Sequence, residues 1–241
     1  MKAIILNASA WMIVPVMDAF AKHLTATMPV LQITWARYFF TVVFTASLML
    51  FFYRETLVWS KRPILQSVRG VILAFSTLCF FYSISVISLP KALTLAFVAP
   101  ITCTALSPFF LSEKVGIRRW SAILIGFLGV YIVLNPDFNN FNYMKLAPVA
   151  CALCYSISMT ITKITSDKDN VYTQMIHLYF GAILISILFF IFTGDGQFNI
   201  SSDPTFQFIF REWFTNPSFT WPFIITMGFI GAFALYFILN A

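Results

Sequence analysis

Charge is scarce in this chain. Asp, Glu, Lys and Arg make up 10% of its 241 residues, against about a quarter in soluble domains. Hydrophobic residues make up 60% and mean hydropathy is +0.86. That balance excludes a soluble globular enzyme, a disordered chain and a nucleic-acid-binding domain. The net charge of +6 and pI near 9.2 do not point to nucleic acid, because the basic residues fall in short gaps between apolar runs, a membrane pattern. Glycine is sparse, and no Gly-rich phosphate loop lies on a soluble segment, so ATP-driven work has no visible site. Cysteine is sparse too. Cys79, Cys103, Cys151 and Cys154 all lie inside apolar runs. The Cys151–Cys154 CxxC spacing has no second ligand pair and no redox context, so small apolar helix residues are the reading, and no cofactor is implied.

What the chain has is long uncharged stretches. A helix needs about 20 residues to cross the hydrocarbon core. The gaps between charges predict eight helices over 3–24, 31–53, 69–88, 92–112, 119–136, 145–164, 171–193 and 219–240. The first two each carry one interior charge, Asp18 and Arg37. Within the connection 194–218, the segment Phe206 to Phe214 reads as a short helix in the membrane interface, and Asn199-Ile200-Ser201 is a chance match to a glycosylation sequon. The first apolar run continues past Ala8-Ser9-Ala10 to Lys22, which favours an uncleaved first helix over a signal peptide.

With the N-terminus in the cytoplasm, the inner side collects Lys2, Arg54, Lys61, Arg62, Arg69, Lys114, Arg118, Arg119, Lys163 and Lys168. The outer side collects Lys22, Lys91, Lys145 and Arg211. This bias sets the expected orientation in a cell (inner) membrane. Trp59 and Trp120 then mark the inner interface, and Trp213 and Trp221 the outer one.

The chain also repeats itself. Ala10 to Lys22 is echoed by Cys151 to Lys163, and Pro29-Val30-Leu31-Gln32-Ile33 by Val171-Tyr172-Thr173-Gln174-Met175. Arg69-Gly70 is echoed by Met227-Gly228. A repeating unit with an odd number of helices places its two copies inverted in the membrane, a common transporter construction. The expectation is an all-α integral membrane protein with eight transmembrane helices of a ten-helix, five-plus-five inverted repeat. The first repeat covers 1–137 and the second, incomplete, 138–241. The chain stops at Ala241 where two more helices are expected, and so reads as a fragment or a truncation.

These features resemble the drug/metabolite transporter superfamily, in particular its EamA-type branch. The residues that carry the resemblance are Trp35-Ala36-Arg37-Tyr38-Phe39-Phe40, Arg69-Gly70, Phe81-Tyr82-Ser83 and Leu89-Pro90-Lys91-Ala92. The block Ser112-Glu113-Lys114-Val115-Gly116 through Arg119-Trp120 and Gly126-Phe127-Leu128-Gly129-Val130 adds to them, as does Met17-Asp18 to Lys22. The resemblance spans the chain and implies a ten-helix inverted-repeat transporter of small metabolites, with the substrate left open. Lys91 departs from a position often acidic or neutral in such proteins.

Charges inside a membrane usually face a cavity or a partner. Asp18 and Arg37 each lie about six residues from the outer end of their helices, roughly 9 Å deep at 1.5 Å rise per residue. Two readings stand side by side. The pair locks two helices as an ion pair, or Arg37 binds an anionic or carboxylate group with Asp18 as competitor or proton-coupling acid. Thr34, Arg37, Thr41 and Thr45 share one face of helix 2, which either lines a polar cavity or packs against another helix. Trp11, Pro15 and Asp18 share a face of helix 1, and Cys151, Tyr155, Ser158 and Thr162 one of helix 6. Trp11, Tyr82 and Tyr155 are candidates to stack on a substrate ring or stem. Pro100 and Pro108 interrupt helix 4 as gating or kink positions. His177 reads as a packed, hydrogen-bonded residue. Gly126 and Gly129 read as close-packing positions between halves or protomers, leaving a homodimer open.

The function expected is a secondary transporter that moves a small metabolite, anionic or carboxylate-bearing, by alternating access. Its partners are the lipid bilayer and a small-molecule substrate. The alternatives are a non-transporting or inactive truncated subunit, and an intramembrane enzyme. The latter lacks metal-ligand spacing and a nucleophile–base pair.

Overall fold

A computed structural model describes residues 2–53, 59–96, 98–110, 115–134, 146–200, 204–215 and 218–239. Among the described residues every regular element is helical. In chain order these are α1 Lys2–Leu24, α2 Val30–Ser47, α3 Pro63–Val86, α4 Leu89–Ala96 and α5 Val98–Phe110, followed by α6 Ile117–Leu134, α7 Ala147–Ser166, α8 Val171–Thr193, α9 Pro204–Phe210 and α10 Trp221–Leu239. Helix α2 runs on as a wider π-type segment, Leu48–Tyr53. Among the described residues six stretches are long and apolar enough to cross a membrane: Val30–Phe51, Pro63–Val86, Leu89–Phe110, Ala147–Ser166, Val171–Thr193 and Trp221–Ile238. The chain is a multi-pass membrane protein.

The helix starts follow local chemistry. Pro63 occupies the first turn of α3, where its missing N–H is not needed. The Asn170 side chain accepts the Thr173 N–H at 2.7 Å and caps α8. One expectation is corrected here. The sequence predicts helix 3 from 69, with Arg69 opening it; α3 begins at Pro63 and Arg69 is wholly buried. The fourth predicted helix, 92–112, falls on the apolar stretch Leu89–Phe110. Pro100, inside that stretch, has no N–H to donate to the Ala96 carbonyl. Pro108 stays inside α5. The Thr104 carbonyl that its missing N–H would have engaged takes the Ser107 hydroxyl at 3.0 Å instead.

The 194–218 connection contains the expected short helix, α9. It is packed into the protein, with Phe208 buried in the main core. Trp213 is also buried there, at 4% exposure, against Phe190 with ring centroids 5.0 Å apart, so it does not belong to an interfacial belt. The expected features at Ser112–Lys114, the 137/138 repeat boundary, Ser201 of the sequon and residues 240–241 lie outside the described residues.

Helix α3 packs mainly on α7 and α8, α10 on α1 and α2, and α2 on α8. The main core joins Met17, Ala21 and Leu24 of α1 to Ile33 and Ala36 of α2, Phe80, Phe81 and Ile84 of α3, and Ile224 and Met227 of α10. Glycines set the closest approaches. A Cβ on Gly70 would collide with the Leu178 carbonyl of α8, and one on Gly181 would lie 2.5 Å from the Ser67 carbonyl of α3. The two helices therefore touch backbone to backbone. Gly228 lies against Phe40 in the same way, and Gly231 against Thr41. Of the glycines read as packing residues on α6, Gly126 abuts Ile101 of α5, whereas Gly129 faces open space. Most of α6 is exposed, including Leu124, Ile125 and Leu128.

Gly181→Ala is expected to lower the melting temperature of the detergent-solubilised protein, by about 1–3 kcal/mol of stability, because backbone atoms cannot yield to a methyl group. Gly129→Ala meets no neighbour and is expected to leave stability unchanged or raise it by up to about 1 kcal/mol. Thermal unfolding of the two variants side by side checks both.

Candidate functional site

Two polar clusters lie within the apolar bundle. The first holds the intramembrane charges expected from the sequence. Asp18, on α1, is 4% exposed. Arg37, on α2, is half-buried. Its guanidinium carbon sits 5.8 Å from the Phe81 ring centroid and 5.4 Å from that of Tyr38, within cation–π range. The Arg37 charge also reaches Asp18, Tyr155 and Tyr179 electrostatically. Asp18 and Arg37 are thus neighbours, but they do not form the direct ion pair that a helix lock requires.

Aromatic groups surround this charge. The Tyr38 and Tyr179 rings lie 5.2 Å apart. The Tyr38 hydroxyl bonds with Thr77 and reaches the Leu73 carbonyl at 3.3 Å. Trp11 of α1 meets Tyr155 of α7 edge to face at 6.1 Å. The structure therefore brings together Asp18, Arg37, Trp11 and Tyr155, four of the candidates, along with Tyr38, Phe81 and Tyr179. Tyr82 is the half-buried neighbour of Phe81 on α3. Thr41 plays a different part. It is 1% exposed, its hydroxyl donates to the Arg37 carbonyl at 2.8 Å, and it faces Gly231, which places it in the α2–α10 packing seam. Pro100 and Pro108 lie on α5, where Thr102 bonds with Ser156 of α7.

The second cluster was not anticipated. Asp169, in the turn between α7 and α8, accepts the Ser60 hydroxyl at 2.6 Å and the Gln66 amide at 2.9 Å on Oδ2. Its Oδ1 accepts the Lys61 N–H at 3.0 Å. Arg69, on α3, donates to the Gln174 carbonyl at 2.6 Å, to the Gln174 side chain at 3.3 Å and to the Thr162 hydroxyl at 3.0 Å. Gln174 in turn donates to the Asp169 carbonyl at 3.1 Å. His177 is packed and hydrogen-bonded, as expected. Its Nδ1 faces the Thr173 carbonyl at 2.9 Å and its Nε2 accepts the Ser60 N–H at 3.4 Å, which assigns the Nδ1–H tautomer. Burial works to raise the Asp169 pKa, but the bonds from Ser60, Gln66 and Lys61, with His177 nearby, outweigh it and hold the carboxyl below its ordinary value.

Sequence reading missed this cluster because each member stands beside a predicted loop. The available signal was spacing: Gln66/Arg69 and Gln174/His177 each sit three residues apart, on one face of a helix end.

Comparison with known proteins agrees with this architecture. The model of the EamA-like transporter family matches residues 1–135. The S-adenosylmethionine uptake transporter of Rickettsia prowazekii (strain Madrid E) is 23% identical over 241 residues, covering 98% of this chain and 75% of that protein. The pseudopaline exporter of Pseudomonas aeruginosa (strain UCBPP-PA14) is 24% identical over 174 residues, covering 71% of this chain and 60% of that one. A solved crystal structure superposes with a TM-score of 0.65 at 16% identity, covering 98% of this chain and 77% of that one, a likeness of fold.

The Asp169 carboxylate gives the protein an acid-sensitive tie. Because its folded pKa lies below the unfolded value of about 3.9, its contribution is complete above that pH and is lost as pH falls through the folded value. The melting temperature of wild type is expected to fall through this acid window more steeply than that of Asp169→Asn. At neutral pH Asp169→Asn should be less stable by about 1–3 kcal/mol. Melting curves from pH 7 to pH 3 in detergent check both.

Proposed function

The chain belongs to the EamA-like transporter family, and from that premise we propose that it carries a small carboxylate-bearing metabolite across the plasma membrane by alternating access. Its standing as a membrane transporter of small molecules follows from the family and from named relatives that import and export metabolites. The substrate group is inferred from one observation: Arg37 holds a guanidinium inside the bundle with no carboxylate paired to it. A cation in low dielectric without a direct counter-ion is a strong anion site. Guanidinium geometry favours planar carboxylates, which it binds through two parallel bonds. Trp11 and Tyr155 supply an aromatic wall for a ring or stem of the same molecule. Asp18 is coupled to Arg37, so a change of charge at Asp18 alters anion binding at Arg37, the linkage that ion-driven transport needs.

A five-plus-five inverted repeat, with eight crossings in this chain, is the architecture this reading adopts. Helices α1 and α6, of 23 and 18 residues, supply the crossings beyond the six apolar stretches above. Reciprocal packing supports it. Helix α1 packs on α10 as α7 packs on α3, and α3 on α8 as α10 on α2. Gly70 lies against Ala182 as Gly228 lies against Phe40, and the register that relates Gln32 to Gln174 also relates Phe40 to Ala182. A boundary near residue 137 and a cytoplasmic N-terminus complete the proposal. The charge bias that supports this orientation persists without Arg69.

S-adenosylmethionine, the compound named for the rickettsial relative, carries a carboxylate and a heteroaromatic ring and is the first compound to assay. Proteoliposomes holding the wild-type chain are expected to take up the radiolabelled compound above empty liposomes. Arg37→Ala should lower uptake at least about tenfold, a difference of roughly 1.4 kcal/mol, with normal protein in the membrane. Uptake by Arg37→Ala with an unchanged KM would remove Arg37 from the pathway.

A further inference from the structure

We propose that the Asp169 cluster is the gate at one end of the transport pathway, with Asp169, Gln66 and Arg69 as its gating residues; this rests on the alternating-access reading above. The elements it joins carry the inference. Ser60, Lys61, Gln66 and Arg69 lie just before and within α3, whereas Asp169, Gln174 and His177 lie in the α7–α8 turn and on α8. The bonds therefore tie the first proposed repeat to the second, the two bodies that must part when a pathway opens.

The chemistry suits a joint that breaks and reforms. Three donors converge on one carboxylate, at 2.6, 2.9 and 3.0 Å. Water can replace each of them, so parting these groups exchanges one set of hydrogen bonds for another. The closed arrangement is also incompletely satisfied. The Arg69 Nε and the Gln66 Oε1 are buried without a partner. Such orphaned groups penalise the closed state and keep it near balance with an open one, which a cycling protein requires.

The two ends of the molecule differ in this respect. In the register that relates Gln174 to Gln32, the position of Asp169 is occupied by Thr27. In the register that relates Gly70 to Gly228, the position of Arg69 is occupied by Met227. The charged elements of the cluster are thus absent from the equivalent positions at the other end. That end is covered instead by an apolar strap, with Trp213 in the core, Arg211 donating to the Ala26 carbonyl at 3.0 Å and the Phe214 N–H to Gln32 at 3.3 Å. The polar gate biases the resting conformation toward closure at the Ser60 end.

The test uses Ser60→Cys in the full chain, in open membrane fragments, labelled with a membrane-impermeant cationic methanethiosulfonate. The rate is read above that of the chain with Ser60 intact. Ser60 is 4% exposed, so labelling should be slow. Adding Asp169→Asn should speed it at least about tenfold, Gln66→Ala should speed it less, and Asp169→Glu should keep it slow. In proteoliposomes with substrate supplied from the opposite face, Asp169→Asn should raise the KM for S-adenosylmethionine by a similar factor while kcat is kept. A purely structural tie would not produce that split. Unchanged labelling and unchanged KM in Asp169→Asn or in Gln66→Ala, with uptake intact, would overturn the gate. Faster labelling in a chain whose wild type takes up no S-adenosylmethionine would uphold the gate and sink that substrate instead. If Asp169→Asn does not accumulate, Gln66→Ala decides the matter alone.

Discussion

The structure depends on one constraint, that polar groups far from water must find their partners inside the chain. In hydrocarbon an unsatisfied backbone or side-chain group is penalised by several kcal/mol, and the response is visible on several helices. Thr34, Thr41, Ser156, Thr160 and Ser186 each return a hydroxyl to the carbonyl four residues back. Ser107 covers the carbonyl that Pro108 leaves free. A stripe of threonines that looks like a polar path from the sequence is therefore largely self-satisfied and serves as packing.

The two arginines within the bundle show the same constraint met in opposite ways. Arg69 is enclosed by Thr162 and both oxygens of Gln174, so its charge is held by protein dipoles and coupled to Asp169 at a helix end. Arg37 has only aromatic faces and a coupled but unbonded Asp18. A guanidinium held by three hydrogen bonds organises the fold, while one that meets only aromatic faces is available to a ligand. That contrast separates the proposed gate from the proposed binding group, although both are arginines on adjacent helices.

Close helix contact makes both sites possible. Gly70 and Gly181 bring α3 and α8 to backbone contact, and this proximity places Arg69 within reach of the Gln174 carbonyl. Gly228 does the same for α10 against Phe40 of α2, and Gly231 makes room for the Thr41 side chain, one turn from Arg37. The apolar core between these seams holds Phe81, whose ring lies under the Arg37 guanidinium. Packing thus sets the depth of the charges as well as the stability of the bundle.

Sequence alone determined the helical class, the positions of most helices to within a few residues and the candidacy of Asp18 and Arg37. Long uncharged runs and isolated interior charges are local signals that need no knowledge of neighbours. It misplaced the start of α3, because a charge marks a helix end only when water, and not protein, satisfies it. Trp213 was assigned to an interface for the same reason. Only the tertiary structure decided that Asp18 and Arg37 stay unpaired, that Thr41 faces a glycine, and that Ser60, Gln66, Arg69 and Asp169 converge. Hydrogen-bond partners more than 90 residues apart in the chain are chosen by how helices cross, and no local pattern encodes that choice.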